Sequence, residues 1–468
     1  MAGFTSVGHA VLVLVYVALN IIFQVYGIED LTVSTNWSSR FGWMAAGNFV
    51  LVVFLALKNT PLAFLTAYSY ERLNGLHQIA GYTAFLQAFL HGVIYVDYFA
   101  RAGRWEVLHE DIVLVAYPLL AALVLTVLAG MILRRFNYEA FYIIHVLLFI
   151  VIIITLGLHR PNINPERILI ATLLMASMWV SDRLIRFTRL VYNSVNNAAT
   201  VYPLPNGGTR IVFKKSLSRA RPGKHCYVWI PQIRAFETHP FTIASTEPLE
   251  LVVNTYSGFT RDLHNFANTK PGTTLRASLE GPYGTNPDPI SYDKVVLVAG
   301  GSGATFTFGL AADMLRRMNE SSKQQIDFIW TVRRHASTDG ASTRRSGDES
   351  DRSGDGVSTP PKSAYERETE IRAAPKRMHG EDREKDAIMS DSEQSSAPST
   401  VRDLPLVYGR PDTEGLIREA VQSVSKDQRV FIAACGPTSL IEVVRNTTAS
   451  CIRADGPAVE LHCEQFGW

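Results

Sequence analysis

This sequence of 468 residues has only four cysteines and no large excess of positive or negative charge. The cysteines are Cys226, Cys435, Cys451 and Cys463, and none of them belongs to a CxxC pair. This spacing argues against a disulfide framework and against a zinc site. The 45 basic residues nearly balance the 43 acidic ones, and the formal net charge of +2 gives no indication of a nucleic-acid partner.

A cleavable signal peptide is also not evident, because no basic residue precedes the first apolar run. That run covers residues 7–28 and is long enough to cross a bilayer. We therefore expect it to form a membrane span.

Long apolar runs alternate with short polar loops between about residues 11 and 189, and the remainder reads as a soluble protein. Six runs approach the roughly 20 residues that a helix needs to cross ~30 Å of hydrocarbon. The predicted spans cover residues 8–28, 41–57, 75–97, 112–133, 139–159 and 167–187. The sequence therefore predicts a membrane domain followed by soluble domains.

Basic residues cluster in alternate loops, which predicts the orientation of the spans. The basic side carries Lys58, Arg72, Arg134, Arg135, Arg183, Arg186 and Arg189. The opposite loops are acidic or mixed in charge, and the first of them holds the sequon Asn36-Trp37-Ser38. We expect both termini to face the cytosol and the sequon to lie in an outer loop.

Four histidines lie at two equal spacings in the predicted spans. Span three holds His77 and His91, and span five holds His145 and His159, each pair 14 residues apart. On a helix, 14 residues turn through about 1400° and rise about 21 Å, so both members of a pair share one face. Neighbouring spans would then oppose His77 to His145 near the inner surface and His91 to His159 near the outer surface. Opposed imidazoles are the axial ligands of six-coordinate haem iron.

A lone histidine at a helix end is more often an interfacial or hydrogen-bonding residue than a metal ligand. Two equal spacings on two different spans favour haem ligation, since ionisable groups within spans are functional candidates. His9 and His109 have no matched partner at such a spacing, and we interpret them as structural.

The soluble half begins with short β-rich runs separated by Gly and Pro turns, such as Asn206-Gly207-Gly208, which predicts a small antiparallel barrel. The predicted strands are 200–202, 210–213, 227–230 and 250–254. An apolar strand at 294–299, a glycine-rich turn at 300–305 and a helix at 308–318 follow. Strand, glycine turn and helix suit a pyrophosphate, although the spacing is not G-x-G-x-x-G and the motif alone is weak. Strands at 325–332 and 429–434 complete a predicted α/β domain.

Residues 335–402 are rich in Ser, Asp, Glu and Arg and contain almost no aromatics. Such a segment cannot bury enough apolar surface to offset the entropy of ordering, so we predict a disordered insert. Its Ser/Arg mixture suits either regulatory phosphorylation or an inert surface insertion.

With these residues in hand, the chain resembles the ferric reductase and NADPH oxidase superfamily, and most of all fungal-type ferric reductases. The resemblance implies a six-helix membrane bundle joined to a ferredoxin–NADP reductase-like module. Its domains would be a haem domain at 1–190, an FAD-binding β-barrel at 191–290 and a nicotinamide-nucleotide-binding α/β domain at 291–468.

The resemblance also implies site residues. Phe241 would pack on the flavin ring and Thr242 would bond near its N5, while His239 stands where many relatives use Arg on the pyrophosphate. The implied flavin-site residues are His239, Pro240, Phe241, Thr242, Gly258, Phe259, Thr260, Gly281, Pro282 and Gly284. The implied nucleotide-site residues are Gly300, Gly301, Ser302, Gly303, Thr305, Cys435, Gly436 and Pro437, and Trp468 would shield the flavin.

The preferred coenzyme is predicted from the end of the strand at 325–332. Arg333 and Arg334 follow it, and no acidic residue stands at the strand end. A basic residue there suits a 2′-phosphate, which favours NADPH, whereas the alternative is that both arginines merely solvate the insert.

We therefore expect electron transfer from cytosolic NADPH through FAD and two b-type haems to ferric chelates or cupric ions on the other side of a bilayer. The expected location is the plasma membrane. The reaction needs no catalytic acid or base from the protein. A superoxide-generating NADPH oxidase is the main alternative. A haem-bearing sensor or proton channel with a vestigial reductase tail is a third interpretation, which the flavin and nucleotide motifs disfavour. The oligomeric state stays open.

Overall fold

The structure is a computed structural model that describes residues 7–28, 30–62, 70–160, 164–319, 323–332, 371–373, 406–408 and 411–464. The chain divides into two compact units, one ending at Thr188 and the other beginning at Arg189.

Six long helices make up the first unit, and each is long and apolar enough to cross a membrane. They are α1 (Val7–Val25), α2 (Ser34–Ala56), α3 (Tyr70–Arg101), α4 (Asp111–Phe136), α5 (Tyr138–Leu158) and α6 (Pro165–Ser194). Helix α4 contains a π-helical turn at Ala129–Leu133. The six predicted spans are confirmed, and the chain is an integral membrane protein.

A polar cluster ties the first three helices together inside this unit. Asn48 of α2 and Gln87 of α3 are both buried, and Asn48 Nδ2 donates to Gln87 Oε1 at 2.8 Å. From α1, the Tyr16 hydroxyl donates to Asn48 Oδ1 at 2.7 Å, and Asn20 Oδ1 accepts from Asn48 Nδ2 at 2.6 Å. Lipid offers these groups no alternative partner, so the bonds hold α1 against α2 and α3.

Helix α2 begins at Ser34, seven residues before the predicted span. The expectation that the sequon lies in an outer loop is therefore wrong, because Asn36 and Ser38 belong to the helix. Ser38 is fully buried, and its hydroxyl donates to the His91 carbonyl at 2.7 Å. The helix can include this polar stretch because the Ser38 hydroxyl has a hydrogen-bond acceptor on another helix.

Seven strands form an antiparallel sheet in the second unit, in the order β6-β1-β2-β5-β4-β3-β7. They are β1 (Ala198–Leu204), β2 (Gly208–Phe213), β3 (His225–Trp229), β4 (His239–Thr246), β5 (Leu249–Asn254), β6 (Thr273–Arg276) and β7 (Ser278–Tyr283). Helix α7 (Phe259–Thr269) lies between β5 and β6. Ile211 and Phe213 point into the core while Arg210 beside them pairs with Glu250 outside, which is the alternation of a half-buried strand.

A second sheet of six strands follows, in the order β11-β10-β9-β8-β12-β13, and its β9, β8, β12 and β13 are parallel. The strands are β8 (Lys294–Gly300), β9 (Gln325–Val332), β10 (Ile371–Ala373), β11 (Leu406–Tyr408), β12 (Arg429–Cys435) and β13 (Ala458–Glu464). The helices are α8 (Ala304–Arg317), α9 (Thr413–Gln422) and α10 (Thr438–Cys451). Strand β8 is buried along its whole length, which explains its unbroken apolar sequence.

The predicted disordered insert lies outside the described residues except at Ile371–Ala373, which form β10. This short strand pairs antiparallel with β9 and with β11. Three residues of the insert thus join the edge strand β11 to β9 through backbone pairing, which composition alone does not predict. Beyond β11, the Asp412 carboxylate accepts from the Gly415 N–H at 2.9 Å and caps α9.

Candidate functional site

The four histidines form two imidazole pairs inside the membrane unit. The ring centroids of His77 and His145 are 6.3 Å apart, and those of His91 and His159 are 6.1 Å apart. The planes of the rings are inclined by 66° in the first pair and by 79° in the second. The structure thus brings together the residues that the spacing pairs, with His159 standing just beyond the end of α5.

Three of the four imidazoles share one orientation, since their Nδ1 atoms face backbone carbonyls. The bonds join His77 to Val52 at 2.9 Å, His91 to Ser38 at 2.9 Å and His159 to Ile112 at 2.8 Å. A carbonyl oxygen can only accept, so Nδ1 carries the proton and Nε2 keeps a free lone pair. This tautomer is the one that a metal-ligating histidine adopts.

The fourth imidazole, His145, differs from the others. Its Nδ1 atom is buried and has no hydrogen-bond partner among the described residues. The Phe141 ring lies one turn earlier on α5, 5.2 Å from the imidazole. Packing rather than a hydrogen bond therefore orients this ring.

The residues present fit a haem iron between each pair. Metal–imidazole bonds are about 2.0–2.1 Å long, so two imidazoles on opposite sides of one iron have ring centroids roughly 6 Å apart. The separations of 6.3 Å and 6.1 Å match that requirement. Each pair would supply both axial ligands of one iron, which suits electron transfer rather than binding of a gas to iron.

Helix α2 bonds both the ring and the backbone of His91. The Ser38 carbonyl accepts from Nδ1 of the ring, and the Ser38 hydroxyl donates to the His91 carbonyl. Gly42 lies one turn further, where a Cβ would be 2.7 Å from His91 Nδ1. Sequence reasoning missed both residues, because neither belongs to the histidine pattern.

Two sequence-predicted flavin segments meet in the second unit. His239 and Phe241 lie on β4, while Gly258 precedes α7 with φ of +73° and Phe259 begins that helix. The imidazole of His239 stacks on Phe259 with centroids 4.5 Å apart, and the Phe241 ring lies 6.1 Å from the same ring. Thr260 Oγ1 accepts from the Tyr256 N–H at 2.9 Å and closes the turn before the helix.

Charged groups surround His239. Its Nε2 lies 3.0 Å from Glu237 Oε2, and Arg234 bridges Glu237 at 2.9 Å and Asp262 at 2.8 Å. Burial acts to raise the pKa of Glu237, but the bonds from His239 and Arg234 outweigh it and lower that pKa. Glu237 is therefore anionic at neutral pH and orients His239 beside the N-terminus of α7. The N-terminus of α7 with a neighbouring imidazole suits a pyrophosphate, while Arg234 is engaged by Glu237 and Asp262.

The remaining residues of the predicted flavin site lie on β4 and β7. Pro240 and Thr242 oppose Tyr227 and His225 of β3. Gly281 and Pro282 lie on β7; Gly281 has φ of +147°, and a Cβ there would be 3.2 Å from Cys226 Cβ, so this crossing favours glycine. Gly284 follows with φ of +93°.

The predicted nucleotide residues gather at the carboxyl ends of β8 and β12. Gly300 ends β8, Gly301 to Gly303 form one tight turn that includes Ser302, and Thr305 lies in the first turn of α8. A Cβ on Gly303 would collide with the Cys435 carbonyl oxygen, and one on Gly300 would lie 2.6 Å from Pro437 Cδ.

The Cys435-Gly436-Pro437 segment therefore packs directly on the glycine turn, as the carboxyl ends of adjacent parallel strands permit. Burial, reinforced by the Glu464 carboxylate, raises the pKa of the Cys435 thiol to about 12. The thiol thus stays protonated at neutral pH, which excludes it as a base or nucleophile there.

Two sequence-predicted site residues, Arg333 and Trp468, lie outside the described residues. The preference for NADPH and the shielding of the flavin by Trp468 stay predictions.

Comparison with known proteins assigns three parts of the chain. Residues 41–156 match the ferric reductase like transmembrane component, residues 193–287 match an FAD-binding domain, and residues 292–449 match the ferric reductase NAD binding domain. The chain thus has FAD-binding and NAD-binding domains downstream of its membrane helices.

Curated relatives are fungal. Ferric/cupric reductase transmembrane component 2 of Schizosaccharomyces pombe is 26% identical, over 64% of this chain and 61% of the relative. Ferric reductase transmembrane components 3 and 4 of Saccharomyces cerevisiae are 25% and 23% identical, over 69% and 92% of this chain but 48% and 62% of the relatives. The chain thus spans about half to three-fifths of the length of these relatives.

Among solved structures, a mutant of the ferredoxin-NADP+ reductase from Plasmodium falciparum overlaps 58% of this chain and 97% of its own, at 11% identity and a TM-score of 0.34.

Three consecutive matches, in the order membrane component, FAD domain and NAD domain, place this chain in the ferric reductase family.

Proposed function

We propose that this protein is an NADPH-dependent ferric-chelate reductase that moves electrons across a membrane. NADPH and FAD bind the second unit, two b-type haems bind the histidine pairs of the first, and ferric chelates or cupric ions are reduced on the opposite side. The fungal ferric and ferric/cupric reductases that the chain is similar to support this choice of acceptor.

The two imidazole pairs carry this proposal. Separations of 6.3 Å and 6.1 Å between ring centroids suit bis-imidazole ligation at two depths of one helix pair. Fourteen residues of α3 separate the two levels, a rise of about 21 Å, so together they span most of the hydrocarbon.

The cofactors supply the redox chemistry, because a bound flavin accepts a hydride and releases electrons singly, while haem iron carries one electron at a time. The protein supplies ligands, orientation and burial. His77, His91 and His159 keep their protons on Nδ1 and so present Nε2 toward the metal.

The flavin and nucleotide segments support the cytosolic half of the proposal. His239, Phe241 and the start of α7 would hold the flavin and its pyrophosphate, while the Gly300–Gly303 turn would hold the coenzyme. We propose that Arg333 selects NADPH through its 2′-phosphate. The boundaries that we propose for the three domains are 1–190, 191–290 and 291–468.

The basic loops support an orientation with both termini in the cytosol. We propose the plasma membrane as the location. Outward movement of negative charge across an inside-negative membrane is then favourable by about 2.3 kcal/mol per 100 mV.

One assay tests the proposal. Membranes that contain the protein receive NADPH, and ferric-chelate reduction on the outer side is recorded with and without superoxide dismutase. We expect reduction that dismutase leaves unchanged. If reduction collapses with dismutase, superoxide is the product and the proposed ferric reductase is wrong.

A further inference from the structure

An aromatic column extends from the His91–His159 pair to the end of α3. The Tyr95 ring lies 5.2 Å from the His91 imidazole, and the Phe99 ring stacks on Tyr95 at 5.9 Å with an interplanar angle of 11°. The Arg104 guanidinium carbon stands 5.5 Å from the centroid of Phe99. His91, Tyr95 and Phe99 are four residues apart, so they share one helix face. The column ends at the Arg104 guanidinium, which lies beyond the C-terminal end of α3.

Helix α2 holds the first two members of this column. Ser38 bonds the His91 backbone and ring, and the next residue, Ser39, shares a 2.6 Å hydrogen bond with the Tyr95 hydroxyl. The adjacent residues Ser38 and Ser39 of α2 thus hold His91 and Tyr95 of α3, respectively. Ser38 orients the His91 ligand, but the hydrogen bond between Ser39 and Tyr95 contacts no ligand, so this second bond needs a separate explanation.

The guanidinium of Arg104 is largely exposed and is paired only loosely with Glu106. Its backbone N–H donates to the Phe99 carbonyl at 2.9 Å, which fixes the residue over the ring. Its Nε lies 3.6 Å from Glu106 Oε1, which is too long for a strong hydrogen bond, and 58% of its side chain is exposed. The neighbouring Arg101 differs, because its Nε is bonded to Asp97 at 2.8 Å.

We propose that Tyr95, Phe99 and Arg104 form the docking site for anionic ferric chelates, an inference that rests on the proposed reductase function. Guanidinium groups bind carboxylates through paired hydrogen bonds, and the Phe99 ring, stacked on Tyr95, holds the Arg104 guanidinium by a cation–π contact. Each docked Fe³⁺ takes up one electron and leaves as Fe²⁺. One NADPH therefore serves two chelates and yields NADP⁺ and one proton on the cytosolic side, with no bond made or broken at the column.

The test compares an anionic chelate, ferric citrate, with a neutral one, the ferric tris(maltolate) complex. R104Q should raise the KM for ferric citrate roughly fivefold, the value of one exposed charge contact, and leave the KM for the maltolate unchanged. The matched control is R101Q, which removes the same charge from the end of the same helix and should change neither KM. E106Q should lower the KM for ferric citrate, because Glu106 no longer competes for Arg104.

Two further measurements separate this inference from the proposed function. Anaerobic reduction of the haem spectrum by NADPH should be equal in the unaltered protein, R104Q and R101Q. Y95L, which removes the ring, should slow the reoxidation of that spectrum by ferric citrate more than Y95F, which keeps the ring and loses only the hydrogen bond to Ser39.

Equal KM values for R104Q and R101Q, in proteins whose haem spectrum NADPH reduces normally, would overturn the docking site and leave the reductase intact. A spectrum that NADPH does not reduce in the unaltered protein would overturn both.

Discussion

The two imidazole pairs have the same separation but differ in how they are held. In the His91–His159 pair, both Nδ1 atoms donate to carbonyls of other helices. In the His77–His145 pair, only His77 does so, and the buried Nδ1 of His145 has no hydrogen-bond partner among the described residues. One pair is fixed by hydrogen bonds on both sides, and the other on one side only.

This difference shows that equal spacing does not make the two levels equivalent. A hydrogen bond from Nδ1 makes an imidazole more basic and orients its Nε2. No described residue gives His145 that support, so an iron bound by it would be less electron-rich than one bound by the other pair. In the second pair, His91 is in addition packed closely against Gly42 and bonded to Ser38 through its ring and its backbone.

The largest expected effect comes from removing one ligand of the second pair. H91A should lose roughly half of the reduced b-type absorbance, because one of two haems loses an axial ligand, and nearly all transmembrane reduction. The matched control is H109A, since His109 lies in an exposed turn with its Nδ1 bonded to the Trp105 carbonyl. An H91A spectrum identical to that of the unaltered protein would refute the ligand assignment.

A flavin-site change should act on the other unit alone. H239A removes the imidazole that stacks on Phe259 and bonds Glu237, and we expect FAD to bind about tenfold more weakly, a loss of roughly 1.4 kcal/mol. FAD fluorescence on dilution measures the change, and the haem spectrum should not alter.

H264A is the control for this change, because His264 lies on α7 of the same unit with its Nδ1 3.1 Å from Thr209 Oγ1, outside the predicted flavin site. Equal FAD retention in H239A and H264A would remove His239 from the flavin site.

A smaller effect tests the confinement of His91. G42A places a Cβ 2.7 Å from His91 Nδ1, so the ring must shift and the low-spin signal of one haem should change in electron paramagnetic resonance. G47A on the same helix meets nothing within 4 Å and should leave both signals unchanged. If both variants behave alike, the tight contact with Gly42 has no influence on the ligand.

The smallest effect concerns the redox potentials of the two levels. One missing hydrogen bond is worth about 1 kcal/mol, which corresponds to on the order of 40 mV for a one-electron couple. The haem lost in H145A should therefore be the one of higher midpoint potential. A potentiometric titration of the reduced absorbance checks this order, and a lower potential for that component would contradict it.

The sequence predicted the four histidines of the membrane site but not the residues that hydrogen-bond to them. Helical periodicity alone places His77 and His91 on one face, and a repeat of that spacing identifies His145 and His159. The carbonyl partners come from residues 25 to 53 positions away along the chain, so no local pattern reveals them. The same holds for Asn48 and Gln87, which find each other only after the helices pack.

In the antiparallel sheet of the second unit, the β-rich runs predicted β1, β2, β3 and β5 but missed β4, β6 and β7. Strand β4 carries His239 and Phe241, and its residues are only partly buried except at Ile243, so it lacks the alternation of a core strand. The buried pair of Lys294 and Asp327, 2.9 Å apart across β8 and β9, was also missed. A lysine at the start of an apolar strand carries no local sign of its partner.

Haem content measured together with electron paramagnetic resonance on the purified, unaltered protein tests the central claim most directly. Two b-type haems per chain, both low-spin as six-coordinate iron with two imidazoles requires, are the predicted result. One haem per chain, no haem, or a high-spin signal from either level would contradict the assignment of the two histidine pairs.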